Sequence, residues 1–481
     1  YRLGRLGLDE APETRDVLDG EARSVADAIE LEAQDGDSWS TAVEEYVTGV
    51  GYTVVNRVAA LRCLEVRGFV DEEVTVVTDD GLTPAAETLV HEEFLLEDEA
   101  ILEAYHRECD RLAAEIEILF DRSSAYSLLD PDEDTFEALC GLLDEVPDAV
   151  WRADDVLGWV YEYYNRPVVE ALEAKNALEP ADIGPANQFY TPHWVVRMLA
   201  DNALGKLYLE ATGREVPEAG ALAPEERTDR RATPDGAATV ADLCTYLIPD
   251  DEDRDAPDFE HPRDLRVVDP ACGSGHFLLY AFDILERIWW AETDLDRAEI
   301  PAKVLEHNLY GVDIDLRACQ LAAFNLYLKA RTRAEAEGAA GFEMPTLGVV
   351  CADARVAEIE EAVGVLDDVT GEETEVRDAL DGIIHEFQHT DALGSLLDVQ
   401  GTLEDEFETG QSDVVGWDGD APKTLNEFLR RLEDAVEART ADAFGERNLR
   451  SFLHLLVVLT QDYDVALMNP PYGSGGRMPD G

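Results

Sequence analysis

Lysine is almost missing from this 481-residue sequence, standing only at Lys175, Lys206, Lys303, Lys329 and Lys423. Positive charge is therefore nearly all arginine, and 38 basic residues face 106 acidic ones for a formal net charge of −68. No basic face is evident, and so large a negative field opposes association with nucleic acid at low salt. A carboxylate-coated, lysine-poor surface suits molar salt, where the screening length falls to about 3 Å. The composition thus reads as that of a halophile's cytoplasmic protein. Also absent is any apolar run near the roughly 20 residues that span a bilayer, so no membrane partner is expected. The start carries no secretory pattern either. The seven cysteines (63, 109, 140, 244, 272, 319 and 351) never form a C-x-x-C pair, and the nine histidines make no metal-spaced cluster. His385 and His389 stand at helical spacing but lack a nearby third ligand. Neither a disulfide framework nor a metal site is expected.

What is there reads as soluble and globular. With 46% hydrophobic and 30% charged residues, the chain can bury two or three cores. It opens on Tyr1 and closes on Gly481 within a glycine-rich loop, so it is expected to be the front part of a longer protein. Whether this piece is active alone stays open.

Residues 1–180 read as a mainly helical domain. In Tyr52–Phe69 the residues Val54, Val58, Leu61 and Leu64 recur at helical spacing, with Arg57, Arg62 and Arg67 elsewhere. Asp154–Asn165 suits a packed helix ended by Pro167, with Tyr163 and Tyr164 expected in the core. From about residue 185, short apolar strands alternate with helices, the pattern of a parallel α/β sheet. Residues 181–481 are taken as one catalytic domain, with acidic insertions near 212–264 and 356–446.

Four strand-end motifs carry the chemistry. In Leu265–Phe277 an apolar strand ends in Asp269, turns through Asp-Pro-Ala-Cys-Gly-Ser-Gly and opens a helical run, Leu278–Ile288. Gly273 and Gly275 remove side chains so that backbone can approach a ligand, and a helix N-terminus favours an anionic group. The string lacks both the dinucleotide spacing and the P-loop lysine. Leu309–Asp315 is a strand whose Asp313 stands where such sheets place an acceptor for ribose hydroxyls. Leu347–Ala354 ends in Asp353, able to accept a proton from an adenine amino group. In Tyr463–Gly473 a strand runs into Asn469-Pro470-Pro471-Tyr472. Consecutive prolines stiffen the backbone and cannot donate, so carbonyl acceptors are presented in a fixed geometry with an aromatic beside them.

This order of motifs resembles the gamma class of DNA amino-methyltransferases. The resemblance implies a Rossmann-like, S-adenosylmethionine-dependent methyltransferase sheet, cut off after its fourth strand and preceded by the helical domain. Asn187–His193 (Asn-Gln-Phe-Tyr-Thr-Pro-His) is similar to a segment that precedes the glycine loop in that class. It implies that Tyr190, Thr191 and Pro192, with Gln188, help hold the methionine end of S-adenosylmethionine. By the same resemblance Asp269, Ala271, Gly273 and Gly275 line the methionine moiety, Asp313 takes the ribose, and Asp353 with Ala354 borders the adenine. Asn469, Pro470, Pro471 and Tyr472 are then catalytic, acting on an adenine flipped out of double-stranded DNA.

The runs Asn56–Val66 and Val156–Tyr164 resemble the PglX-like methyltransferases of BREX phage-defence systems, which implies self-marking of DNA and other defence proteins as partners. Type IIG restriction-modification enzymes share much of the layout, but the only nuclease-like string is Glu173-Ala-Lys175, without an upstream acid on a strand. Glutamine methyltransferases, which also use Asn-Pro-Pro-Tyr, normally lack the long helical front. Cytosine-amino methylation and a non-catalytic DNA-binding subunit are the remaining alternatives.

Overall fold

The computed structural model describes residues 2–8, 10–12, 18, 20–32, 38–78, 81–122, 125–173, 191–217, 237–249, 259–352 and 453–470. The chain divides into two units: one of residues 1–167, 297–302 and 320–344, the other of 168–296, 303–319 and 345–481. A helical region precedes a small parallel sheet of four strands, the α/β class expected from the alternation of strands and helices. The acidic stretch 356–446, His385 and His389, and the nuclease-like Lys175 lie outside the described residues.

The first unit is helical. Its longest helix, α1 (Trp39–Glu65), starts where the Ser38 side chain accepts from the Thr41 N–H at 3.2 Å, which satisfies one of the free donors of a helix start. Val54, Val58, Leu61 and Leu64 are buried along it, as their spacing predicts. Arg57 and Arg62 are buried too. Charge this deep needs acceptors, and the structure supplies them. Arg57 donates to the carbonyls of Leu119 and Asp121, each at 2.7 Å, and Arg62 to the Thr75 carbonyl at 2.8 Å. Helices α2 (Pro84–Glu93) and α3 (Glu97–Ala113) follow. In α4 (Val156–Glu173), Pro167 stands inside the helix and does not end it. The expectation of two core tyrosines there needs correcting. Tyr164 stacks on Tyr52 with ring centroids 4.5 Å apart, whereas Tyr163 is 66% exposed. The two are neighbours in sequence, and 100° of helical turn separates their faces.

The second unit holds the sheet. Helix α5 (His193–Ala200) runs on into a π-turn, Asp201–Gly205. Strand β1 (Val267–Asp269) leads into α6 (His276–Glu292), and β2 (Leu309–Asp313) into α7 (Leu316–Ala336). Of α7, residues through Cys319 count with this unit and those from Gln320 with the other. Strands β3 (Gly348–Cys351) and β4 (Val465–Ala466) complete the order β3-β2-β1-β4. Every pairing is parallel, with Val267 opposite Leu309 and Val465, and Gly311 opposite Val349. Strands covered on both faces read as continuous apolar runs. Val268, Tyr310, Val312 and Val350 accordingly pack with Leu455 and Val458 into one core cluster. The chain moves outward from β1 through β2 to β3, then returns to place β4 on the other side of β1. The strand order therefore reverses between β1 and β4, and ligand crevices in open α/β sheets form outside the carboxyl ends of strands at such a reversal.

Candidate active site

The glycine turn leaves β1 at that reversal. Gly273 and Gly275 adopt φ of +53° and +91°, a region costly for residues bearing a Cβ. Gly275 is the residue from which α6 starts. A Cβ built on Gly273 would meet nothing within 4 Å, so the space above the turn is open to a ligand. The turn is pinned to the neighbouring strand: Cys272 N–H donates to the Val312 carbonyl at 3.0 Å, and Gly273 N–H to the Asp313 carboxylate at 2.8 Å.

Both Asp313 oxygens are engaged, the second by Asp315 N–H at 2.9 Å. A carboxylate offers about four lone-pair sites, so capacity for hydroxyl donors remains. Burial raises its pKa above the ordinary value. Beneath the turn Asp269 is 1% exposed and accepts from Ala271 N–H at 3.1 Å. Burial, with the Asp313 charge adding to it, pushes its carboxyl up to about 8. A carboxyl this buried, with no cation on it among the described residues, is disposed to welcome positive charge close by.

Strand β4 brings the fourth motif to the same end of the sheet. Arg266 N–H donates to the Asp464 carboxylate at 2.7 Å, and Leu467 N–H donates to the Val268 carbonyl at 2.9 Å. Asn469 thus emerges two residues past the last strand bond, half-buried, with Pro470 exposed behind it. Its Nδ2 donates to the Thr191 Oγ1 at 3.1 Å, across 278 residues of sequence. Thr191 immediately precedes Pro192, from which α5 starts. Thr191 and Asn469, far apart in the chain, therefore meet, and they do so at the end of the sheet where the turn of Gly273 and Gly275 leaves the neighbouring strand. Gln188, Tyr190, Asp353, Ala354, Pro471 and Tyr472 lie outside the described residues.

Two features of this corner carry no motif. Asp201, fully buried, accepts from the Tyr280 hydroxyl at 2.7 Å and from Tyr246 N–H at 2.8 Å. Burial lifts its carboxyl to about 6, against the lowering effect of those hydrogen bonds. It ties the helix behind Thr191 to the helix behind the glycine turn, and the Arg197 guanidinium lies 5.0 Å over the Tyr280 ring. The signal was an acid within the mostly apolar stretch Trp194–Leu204. The second is Ile314, 55% exposed directly after Asp313, an apolar side chain at a strand end where a turn residue would ordinarily be polar. Among the described residues no group of three or more His, Cys, Asp or Glu is placed to hold a metal ion, and no helix is long and apolar enough to cross a membrane.

Comparison of the sequence with known proteins finds matches to methyltransferase domains. Residues 260–347 match the family model of the MmeI DNA-methyltransferase domain, and residues 307–480 that of the Eco57I restriction-modification methylase. The chain is 28% identical over 470 residues to the adenine-specific methyltransferase BrxX of Escherichia coli O9:H4 (strain HS), an alignment covering 90% of this chain and 36% of that protein. It is 24% identical over 483 residues to the adenine-specific methyltransferase PglX of Lacticaseibacillus casei (strain Zhang), covering 92% and 37%. A 69-residue stretch is 39% identical to a putative type II restriction enzyme and methyltransferase of Methanocaldococcus jannaschii, over 13% of this chain and 6% of that protein. The chain thus spans little more than a third of the length of the curated relatives it matches over most of its own.

Proposed function

We propose that this chain belongs to an S-adenosylmethionine-dependent methyltransferase that modifies the exocyclic amino group of adenine in double-stranded DNA, marking host DNA in a BREX-type defence system. The helical residues 1–180 precede the catalytic part, 181–481. What chiefly supports the reading is the meeting of Asn469 with Thr191 at the strand reversal that also holds the turn of Gly273 and Gly275. The relatives named adenine-specific methyltransferases point the same way.

The amino nitrogen of adenine is a poor nucleophile because its lone pair is delocalised into the ring. The Asn469 Oδ1 and the Pro470 carbonyl accept its two hydrogens and draw it toward tetrahedral geometry, which localises the lone pair. Two consecutive prolines restrict the backbone and lack N–H groups that would compete for the acceptors. Tyr472 stacks on the extruded base, offsetting part of the few kcal/mol spent on unstacking. S-adenosylmethionine supplies, when bound, an electrophilic methyl on a sulfonium. The open space at Gly273 and the buried Asp269 fit a small ligand carrying positive charge. Gly275 and Ala271 belong to the turn, and Gln188, Tyr190, Thr191 and Pro192 would help hold the methionine end. Asp313 would accept from the ribose hydroxyls on its remaining lone pairs, Ile314 would offer the adenosine an apolar face, and Asp353 with Ala354 would serve its base. Rate is gained by positioning and by the fixed dipoles of the corner.

The test is methyl transfer by the full-length protein at molar salt, with labelled S-adenosylmethionine and duplex DNA, followed by nucleoside analysis. Label in N6-methyladenine supports the reading. Label in N4-methylcytosine or in protein glutamine would refute it.

A further inference from the structure

Among the contacts of the corner, one is unexplained by cofactor holding alone: the bond from Asn469 Nδ2 to the Thr191 hydroxyl. We infer that Thr191 is a positioning residue for methyl transfer, which fixes the orientation of the Asn469 amide by accepting from its NH₂ group. The inference rests on the proposed adenine chemistry and adds a role for Thr191 other than contact with the methionine end of the cofactor.

An asparagine side chain has two unlike ends. Only Oδ1 can accept a hydrogen from an adenine amino group; a half-turn of the amide would present two N–H donors to another donor. Nothing in the Asn-Pro-Pro backbone distinguishes those two states, because prolines restrain the main chain and leave the terminal torsion of the side chain broad. A partner outside the motif has to choose. In this arrangement Thr191 Oγ1, 3.1 Å from Nδ2, accepts from the nitrogen end and leaves Oδ1 turned the other way; a hydroxyl can also donate, so this sense holds while its own hydrogen is given to another acceptor. Thr191 is itself 8% exposed, so little water competes for the bond.

Its position is enforced in turn. Pro192 and α5 follow directly, and α5 is fastened to α6 by the Tyr280 hydroxyl on Asp201 at 2.7 Å and by Arg197 over the Tyr280 ring. The ring of His193 lies edge-on to that of His276, the first residue of α6, with centroids 6.3 Å apart. The oxygen that orients the amide is thereby set from the same helix that carries the glycine turn. The register of acceptor to cofactor pocket does not depend on β4 alone.

The experiment compares Thr191→Val and Thr191→Ser in the full-length protein, measuring kcat for DNA methylation and the Kd of S-adenosylmethionine separately. Removing a hydroxyl of this kind without changing side-chain shape should lower kcat about tenfold, from a net hydrogen bond of about one decade in rate. Because Thr191 is also assigned to the methionine end of the cofactor, kcat is read at saturating S-adenosylmethionine so that any change in Kd is separated from it, and serine should restore most of the rate. In an Asn469→Ala background, Thr191→Val should have no further effect on the residual rate. Wild-type kcat in Thr191→Val, or a weakened cofactor Kd with kcat intact at saturation, overturns the inference. If Asn469→Ala itself keeps full turnover, the adenine reading fails first. Thr191→Ala carries the same test should the valine variant not fold.

Discussion

Asp269 offers a quantitative test of the pocket. Buried beneath the glycine turn and next to Asp313, its carboxyl titrates at about 8 against an ordinary 3.8, so the ligand-free protein holds it protonated at neutral pH. The sign follows directly. A carboxyl raised by folding contributes stability that is fully present below about 4 and is lost as pH rises through about 8. A sulfonium and an ammonium bound above the turn would reverse the preference, favouring the ionised form and expelling the proton. Cofactor affinity should therefore rise with pH from 6 to 8, by about tenfold per unit well below the pKa and by at most about fiftyfold or ~2.3 kcal/mol over the whole range. Asp269→Asn keeps an oxygen for Ala271 N–H and removes the titration. Calorimetry of S-adenosylmethionine binding at pH 6, 7 and 8, in buffers of different ionisation enthalpy, measures both slope and proton release. Wild type should lose close to one proton on binding at pH 7, and the variant should show only the titration of the ligand's own amine. Equal slopes in the two proteins would refute the reasoning.

Other outcomes follow from the same geometry. Asp201→Ala strips acceptors from the Tyr280 hydroxyl and Tyr246 N–H, and should lower stability by about 2–4 kcal/mol in denaturant unfolding. Gly275→Ala forces a Cβ onto a residue at φ +91°; about 1–2 kcal/mol of stability should be lost, with weaker cofactor binding. With a formal charge of −68, raising KCl from about 0.1 to 2 M should increase the melting temperature and permit DNA binding, because the screening length contracts from about 10 Å to below 3 Å. A melting temperature that falls with salt would contradict the screening argument.

The sheet was legible because its strands end in side chains with few other uses: Asp269 before a small-residue turn, Asp313, and Asn469 before two prolines. Each is a local pattern, and each stands at the carboxyl end of a strand. The strand order was not written in any of them. It depends on β4 joining β1 after more than a hundred residues, a pairing set by tertiary burial of Val465 and Leu467. The contact of Thr191 with Asn469 was hidden for the same reason: the partners are 278 positions apart. In the helical unit, spacing placed the apolar face of α1 correctly but missed the burial of Arg57 and Arg62. Periodicity sorts residues by polarity, and an arginine whose guanidinium meets main-chain carbonyls can be as buried as leucine. Pro167 misled in the opposite direction, since a single proline can be carried within a long helix packed by its neighbours.

The central claim is that Asn469, held by Thr191 beside the glycine turn, activates the adenine amino group. The most direct measurement is single-turnover methyl transfer by the full-length Asn469→Ala protein, with the Kd of S-adenosylmethionine determined on the same preparation. The account predicts loss of at least about a hundredfold in rate, the scale of removing a key transition-state acceptor, with cofactor affinity nearly unchanged. Undiminished transfer by the variant would contradict it.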